Sequence, residues 1–217
     1  MPQKIGVFDS GVGGLAVIAA IKKELPNVEI IFKSDKAHFP YGTRSIDNIY
    51  GFVKPIFDGL ASEGCQVIVV ACNTVTTNLI ERLRAELKIP LIGIEPMVKP
   101  AAAATKTGAI AVFATPRTLA STRYSWLKEQ YAKGVKVIEP DCSDWAYLIE
   151  NRQIDRSKIE AIVNGVCAQG ADQLVLGCTH YHWIEELIRE IAVGRAEILQ
   201  PEVPVVDTLK TALAQLS

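Results

Sequence analysis

Short apolar runs alternate with amphipathic stretches along the whole chain. "KIGVF" (4–8), "EIIFKSD" (29–35), "VIVVAC" (67–72) and "LIGIE" (91–95) are brief and rich in β-branched residues, which predicts buried strands. "AIAVFA" (109–114), "KVIEP" (136–140) and "QLVLGC" (173–178) predict the same for the second half. Between such runs, "LAVIAAIKKEL" (15–25) and "TNLIERLRAEL" (77–87) place apolar residues at helical intervals. Strands separated by helices predict parallel sheets covered by helices, an α/β fold.

The pattern repeats. "IGVFDSGVGGLAVIAAIKKEL" begins at Ile5 and "IAVFATPRTLASTRYSWLKEQ" begins at Ile110, an offset of 105. "VIVVACNTVTTNLIERLR" carries Cys72 and "QLVLGCTHYHWIEELIRE" carries Cys178, an offset of 106. Apolar similarity alone would mean little, because buried strands resemble one another. A cysteine at the same strand end in both copies means more, and predicts two similar parallel-sheet half-domains with an active cleft between them. Residues 1–98 are expected to form the first, rejoined by 206–217 from the chain's end, and residues 99–205 the second. The joint is expected in "EPMVKPAAAATKTG" (95–108), which holds two prolines and an alanine run.

Composition narrows the chemistry. The 217 residues are 49% hydrophobic and 22% charged, enough for substantial cores. A net charge of −1 offers no attraction for nucleic acid or a membrane surface. No apolar run approaches the roughly 20 residues needed to span a bilayer, and "MPQKIGVFDS" lacks an apolar leader, so a cytoplasmic protein is expected. The five cysteines, at 65, 72, 142, 167 and 178, form no CxxC pair. Neither a disulfide framework nor a structural zinc site is expected.

Two thiols at matching strand ends suit proton transfer. A thiol's acidity can be raised by a helix N-terminus or a cation, and both cysteines precede helical sequence. A thiolate on one face of a carbon and a thiol on the other can remove one proton and return another, inverting the centre. A strand-end cysteine taken alone is more often a packed residue; Cys65, Cys142 and Cys167 are read that way. Asn73 and Thr74 in "CNT", with Thr179 and His180 in "CTH", add donors for a carboxylate and for the charge that develops beside it. His180 stands two residues from Cys178, placed to tune that thiol or relay its proton. A Cys178/His180/His182 metal site is the weaker alternative, with no acidic residue beside it in sequence.

Asp9 ends the first strand at the same sheet edge as Cys72. Gly11, Gly13 and Ala16 also satisfy G-x-G-x-x-A, with Asp35 ending the second strand, which is a dinucleotide-binding pattern. Asp9 argues against it, because its carboxylate would repel a pyrophosphate. Pro40-Tyr41-Gly42 reads as a turn that lies after the second strand.

Taken together, "FDSGVGGL", "FPYGTRS", "ACNT" and "LGCTHY", with "FATPRTLAS" and "VPVVD", resemble the glutamate racemases of the aspartate/glutamate racemase superfamily. The resemblance spans nearly the whole chain. It implies an isomerase that interconverts L- and D-glutamate without cofactor or metal, supplies D-glutamate for peptidoglycan and works as a homodimer. Cys72 and Cys178 match the paired catalytic cysteines, and Asp9 and His180 their helpers. Ser10, Pro40, Tyr41, Gly42, Asn73, Thr74 and Thr179 match substrate-contacting positions, as do Thr115 and Thr118; Glu150 matches a further helper. His182 departs from the family's usual proline, and the chain is short between Cys142 and Asp172. A racemase for aspartate or another amino acid, or a binding or regulatory protein without turnover, are the alternative functions.

Overall fold

The computed structural model describes residues 3–216. Among these residues are two four-stranded, wholly parallel sheets. β1 (Lys4–Asp9), β2 (Glu29–Ser34), β3 (Val67–Val70) and β4 (Leu91–Gly93) run in the order β2-β1-β3-β4. β5 (Ala109–Ala114), β6 (Lys136–Ile138), β7 (Gln173–Gly177) and β8 (Glu197–Leu199) run in the order β6-β5-β7-β8. The orders correspond strand for strand, and the echoing segments are the central pairs, β1 with β3 and β5 with β7. The fold is α/β, in two half-domains. β8 is the strand that periodicity does not predict: its three residues "EIL" are only partly covered and form no apolar run.

Residues up to Ile94 and from Pro201 onward form one compact unit, and Glu95–Gln200 the other. In the first, α1 (Gly14–Glu24) and α10 (Glu202–Gln215) cover one face of the sheet, while α2 (Ile46–Ser62) and α3 (Asn73–Glu86) cover the other. Side chains alternate across a strand. Ile5, Val7, Val67 and Val69 therefore pack with Val17, Ile21, Val205 and Leu209. Phe8, Ile68 and Val70 face the opposite way, onto Val53, Phe57, Leu60, Val75 and Leu79. A strand covered on both faces must be apolar at every position, which is why β3 reads as an unbroken run.

The second unit carries α4 (Val98–Ala104), α5 (Pro116–Leu119), α6 (Thr122–Tyr131), α7 (Trp145–Glu150), α8 (Arg156–Ala168) and α9 (Glu185–Ala192). Half of the joint expected over 95–108 is α4, whose Val98 and Ala101 pack with Ile110, Val112 and Tyr124. Alanine is the strongest helix former, so the run that read as a linker folds as helix. Thr115, Ser121 and Asp155 accept the backbone N–H three residues on, each starting its helix. No helix among the described residues is long and apolar enough to cross a membrane.

Candidate active site

In the first unit the chemistry gathers where β1 and β3 end. Asp9, the last residue of β1, is fully buried. Its Oδ1 accepts the Ser10 N–H at 2.7 Å and its Oδ2 accepts the Gly14 N–H, closing the first turn of α1. Gly14 is glycine for want of space: a Cβ there would meet the Asp9 Cβ at 2.8 Å. The dinucleotide pattern falls on the same evidence. Asp9 fills the helix N-terminus a pyrophosphate would need, and Asp35 is held by Tyr41 and His38.

Cys72 lies two residues beyond β3 and is the N-cap of α3. Its thiol is buried and donates to Ser10 Oγ at 3.7 Å. The N–H groups of Thr74 and Val75 and the Ser10 hydroxyl favour the thiolate, but burial, reinforced by the Asp9 carboxylate, pushes the thiol up to about 12. The sequence pointed to an acidified thiol; desolvation outweighs the helix terminus, and the group rests protonated. Beside it, both polar atoms of the Asn73 side chain are buried without a hydrogen-bond partner. Each such group forfeits about 1–3 kcal/mol until something binds it. Thr74 is buried alongside.

The Pro40-Tyr41-Gly42 turn completes this end. A cis Phe39–Pro40 bond leads into a 3-10 helix, Tyr41–Thr43, with Tyr41 and Gly42 buried. The Tyr41 hydroxyl donates to Asp35 Oδ2 at 2.6 Å. Burial raises its pKa strongly, with added contributions from the charges of Asp35 and Cys72, so the ring is a neighbour of the thiol.

The second unit repeats the plan with different helpers. Cys178 follows β7 and heads a 3-10 helix, Thr179–Ile184, rather than the α-helix expected, and α9 starts only at Glu185. His180 is buried, its Nδ1 4.0 Å from Cys178 Sγ and its Nε2 2.7 Å from Glu150 Oε2. A carboxylate only accepts, so Nε2 carries the hydrogen and Nδ1 is left able to accept from the thiol. Thiol, imidazole and carboxylate thus stand in line. Thr115, 105 residues after Ser10, caps α5 and lies 3.1 Å, oxygen to oxygen, from Thr118. Thr115, Thr118 and Thr179 are all buried. No group of three metal-ligating side chains occurs among the described residues, the Cys178/His180/His182 set included.

Two neighbours escaped sequence reasoning. Asp35, read only as part of the dinucleotide pattern, is the anchor of Tyr41; an acid at the carboxyl end of a parallel strand, as Asp9 is, was the available signal. Cys142 lies at the β5 end, its thiol donating to the Ala114 carbonyl at 3.5 Å and its own carbonyl accepting from the Tyr181 hydroxyl at 3.0 Å. Nothing local in the sequence distinguishes it from Cys65 or Cys167.

Two matched α/β units, each with a buried thiol beside a proton-handling partner at a central strand's end, define a racemase, an isomerase that works by moving protons. The chain belongs to the Asp/Glu/hydantoin racemase family, whose model matches residues 5–216. It is 38% identical to the glutamate racemase of Pseudomonas aeruginosa, over 98% of this chain and 79% of that one. A glutamate racemase isoform from Bacillus anthracis superposes with a TM-score of 0.87 at 32% identity, over 99% of this chain and 83% of the other. The Escherichia coli glutamate racemase, solved with L-glutamate and the activator UDP-MurNAc-Ala, superposes with a TM-score of 0.91 at 26% identity, again over 99% and 83%.

Proposed function

We propose that the protein is a glutamate racemase that inverts Cα by proton transfer between Cys72 and Cys178, one thiol from each unit. The observation that carries this reading is the repeated strand-end cysteine, each with its own acid–base neighbour: Asp9 for Cys72, and His180 backed by Glu150 for Cys178. Cys72 rests as a thiol and so begins as the proton donor. Cys178 begins as the base, its proton taken up by His180. The Cys178 thiolate removes the Cα proton, the electron pair stays on the carbanion beside the α-carboxylate, and Cys72 delivers a proton to the opposite face. Cys178 then holds the proton and Cys72 is the thiolate, which is the starting state for the reverse reaction.

The Asn73 amide, buried and unpartnered, is the first polar group a substrate carboxylate would satisfy. Ser10, Thr74, Thr115, Thr118 and Thr179 add hydroxyls around the two thiols, and the Pro40–Gly42 turn closes the Cys72 side. Proton transfer between thiols calls for no cofactor or metal. Glutamate as the substrate is supported by the identity to glutamate racemases and by the L-glutamate bound in the Escherichia coli structure. A cytoplasmic homodimer that feeds D-glutamate to peptidoglycan completes the reading on family likeness.

Incubation with L- or D-glutamate in deuterated water, with nothing added, tests it. Optical rotation should decay to zero as deuterium enters Cα. Cys72→Ser should lower kcat by at least about a thousandfold while glutamate still binds. Inversion of aspartate in place of glutamate would retain the chemistry and change the substrate. Turnover unchanged in Cys72→Ser would sink the two-thiol mechanism, and binding of either amino acid without turnover would mark a non-catalytic protein.

A further inference from the structure

The turn that carries Pro40, Tyr41 and Gly42 is tied down by a group outside the proposed proton path. Asp35, nearly buried, accepts from the Tyr41 hydroxyl at 2.6 Å and from His38 Nδ1 at 2.8 and 2.9 Å through its two oxygens. A carboxylate offers only lone pairs, so His38 must present Nδ1–H to it. The His38 ring lies flat on Phe52 of α2, centroids 3.7 Å apart and planes 9° from parallel. Arg44 donates to the His38 carbonyl and sets its guanidinium 5.7 Å from the Phe52 centroid. Asp35, Phe52 and Arg44 thus hold His38, while 43% of its side chain stays accessible.

This wiring has a chemical consequence. With its proton committed to Asp35, the Tyr41 hydroxyl has none to give a ligand. The direction of that hydroxyl depends on Asp35 staying where it is. A nearly buried carboxylate that loses one of two donors turns toward water or toward the remaining donor. Either movement shifts Tyr41.

We propose that His38 is a positioning residue for substrate binding, holding Asp35 so that Asp35 holds Tyr41 and the Pro40–Gly42 turn. The proposal rests on the reading of that turn as a substrate contact. The Cys72 thiol bonds Ser10 and no member of this cluster, so the effect is expected in binding common to ground and transition state, which appears in KM rather than kcat.

The experiment compares steady-state glutamate racemisation by the wild-type protein, His38→Leu and His38→Asn. Asparagine places an amide N–H where Nδ1–H was; leucine fills space without a donor. His38→Leu should raise KM roughly five- to tenfold with kcat within about twofold, the size expected for one charge-assisted hydrogen bond felt indirectly. His38→Asn should return KM to near the wild-type value, a rescue that simple loss of packing would not produce. An unchanged KM in His38→Leu, or equal impairment of both variants, overturns the positioning role. Absence of turnover in the wild-type protein is a separate result; it overturns the racemase reading and this proposal with it.

Discussion

Asp9 acts on two neighbours at once, closing α1 and raising the proton affinity of Cys72. Asp9→Asn keeps an acceptor for the helix but removes the negative charge, so the Cys72 thiol should become more acidic. The pH dependence of Cys72 alkylation, followed by peptide mass spectrometry, should move to lower pH; an unmoved profile would mean burial alone sets it. Buried thiols also set a stability limit. Cys142 is pushed up to about 11, mainly by burial, from an ordinary value of 9.0. Below pH 9 folded and unfolded chains both keep these protons, and pH has no effect through them. Above it the unfolded chain releases protons that the folded one retains, so stability falls as pH rises through 9 to about 11. Tyr41 and Tyr181, also raised by burial, push the same way at higher pH. The urea midpoint should therefore drop between pH 8 and 10.5, and Cys142→Ala should show a shallower drop from a lower starting point.

At the scale of elements, the two units use one scheme with different endings. Cys72 caps a long α-helix, whereas Cys178 heads a 3-10 helix whose second residue, His180, reaches α7. The short α7 then has a purpose beyond packing, since its final residue, Glu150, orients the imidazole. Glu150→Gln retains a hydrogen-bond acceptor for Nε2 and removes the negative charge beside the ring. A loss of kcat of roughly ten- to hundredfold is expected, the usual reach of a general acid–base contribution partly withdrawn. The enantiomers have equal free energy, so kcat/KM must fall equally in both directions. Only the separate kcat values, or Cα deuterium uptake without inversion, can reveal which direction relies on Cys178. A variant with wild-type kcat in both directions would remove Glu150 from the relay.

At the scale of the molecule, the last helix secures the first unit. α10 lays Val205, Val206, Leu209 and Leu213 onto the face formed by Ile5, Val7, Val67 and Val69. Lys210 adds an exposed ion pair to Glu24 of α1, worth little by comparison. Leu209→Ala should destabilise the protein by about 2–5 kcal/mol, the range for a buried leucine left as a cavity. Hydrogen exchange would locate the damage: faster exchange in β1, β3 and β4, with β5 and β7 protected as before. Uniform loss across both sheets would show that the units unfold together.

Much of this was determined by the order of residues. β1, β3, β5 and β7 are covered on both faces, so their middles are apolar with polar residues confined to the ends, and such runs are legible without a structure. The strand-end placement of Cys72 and Cys178 was legible because it recurs at nearly one offset, and recurrence separates a pattern from chance. β8 was not legible, because a short, half-covered edge strand needs few apolar residues. The contacts that give the site its chemistry were decided by tertiary structure alone. Glu150 meets His180 from 30 residues away, and the direction of the Tyr41 hydroxyl toward Asp35 is set by packing. The resting state of Cys72 depends on how completely water is excluded and how near Asp9 lies, quantities that exist only once the chain has folded.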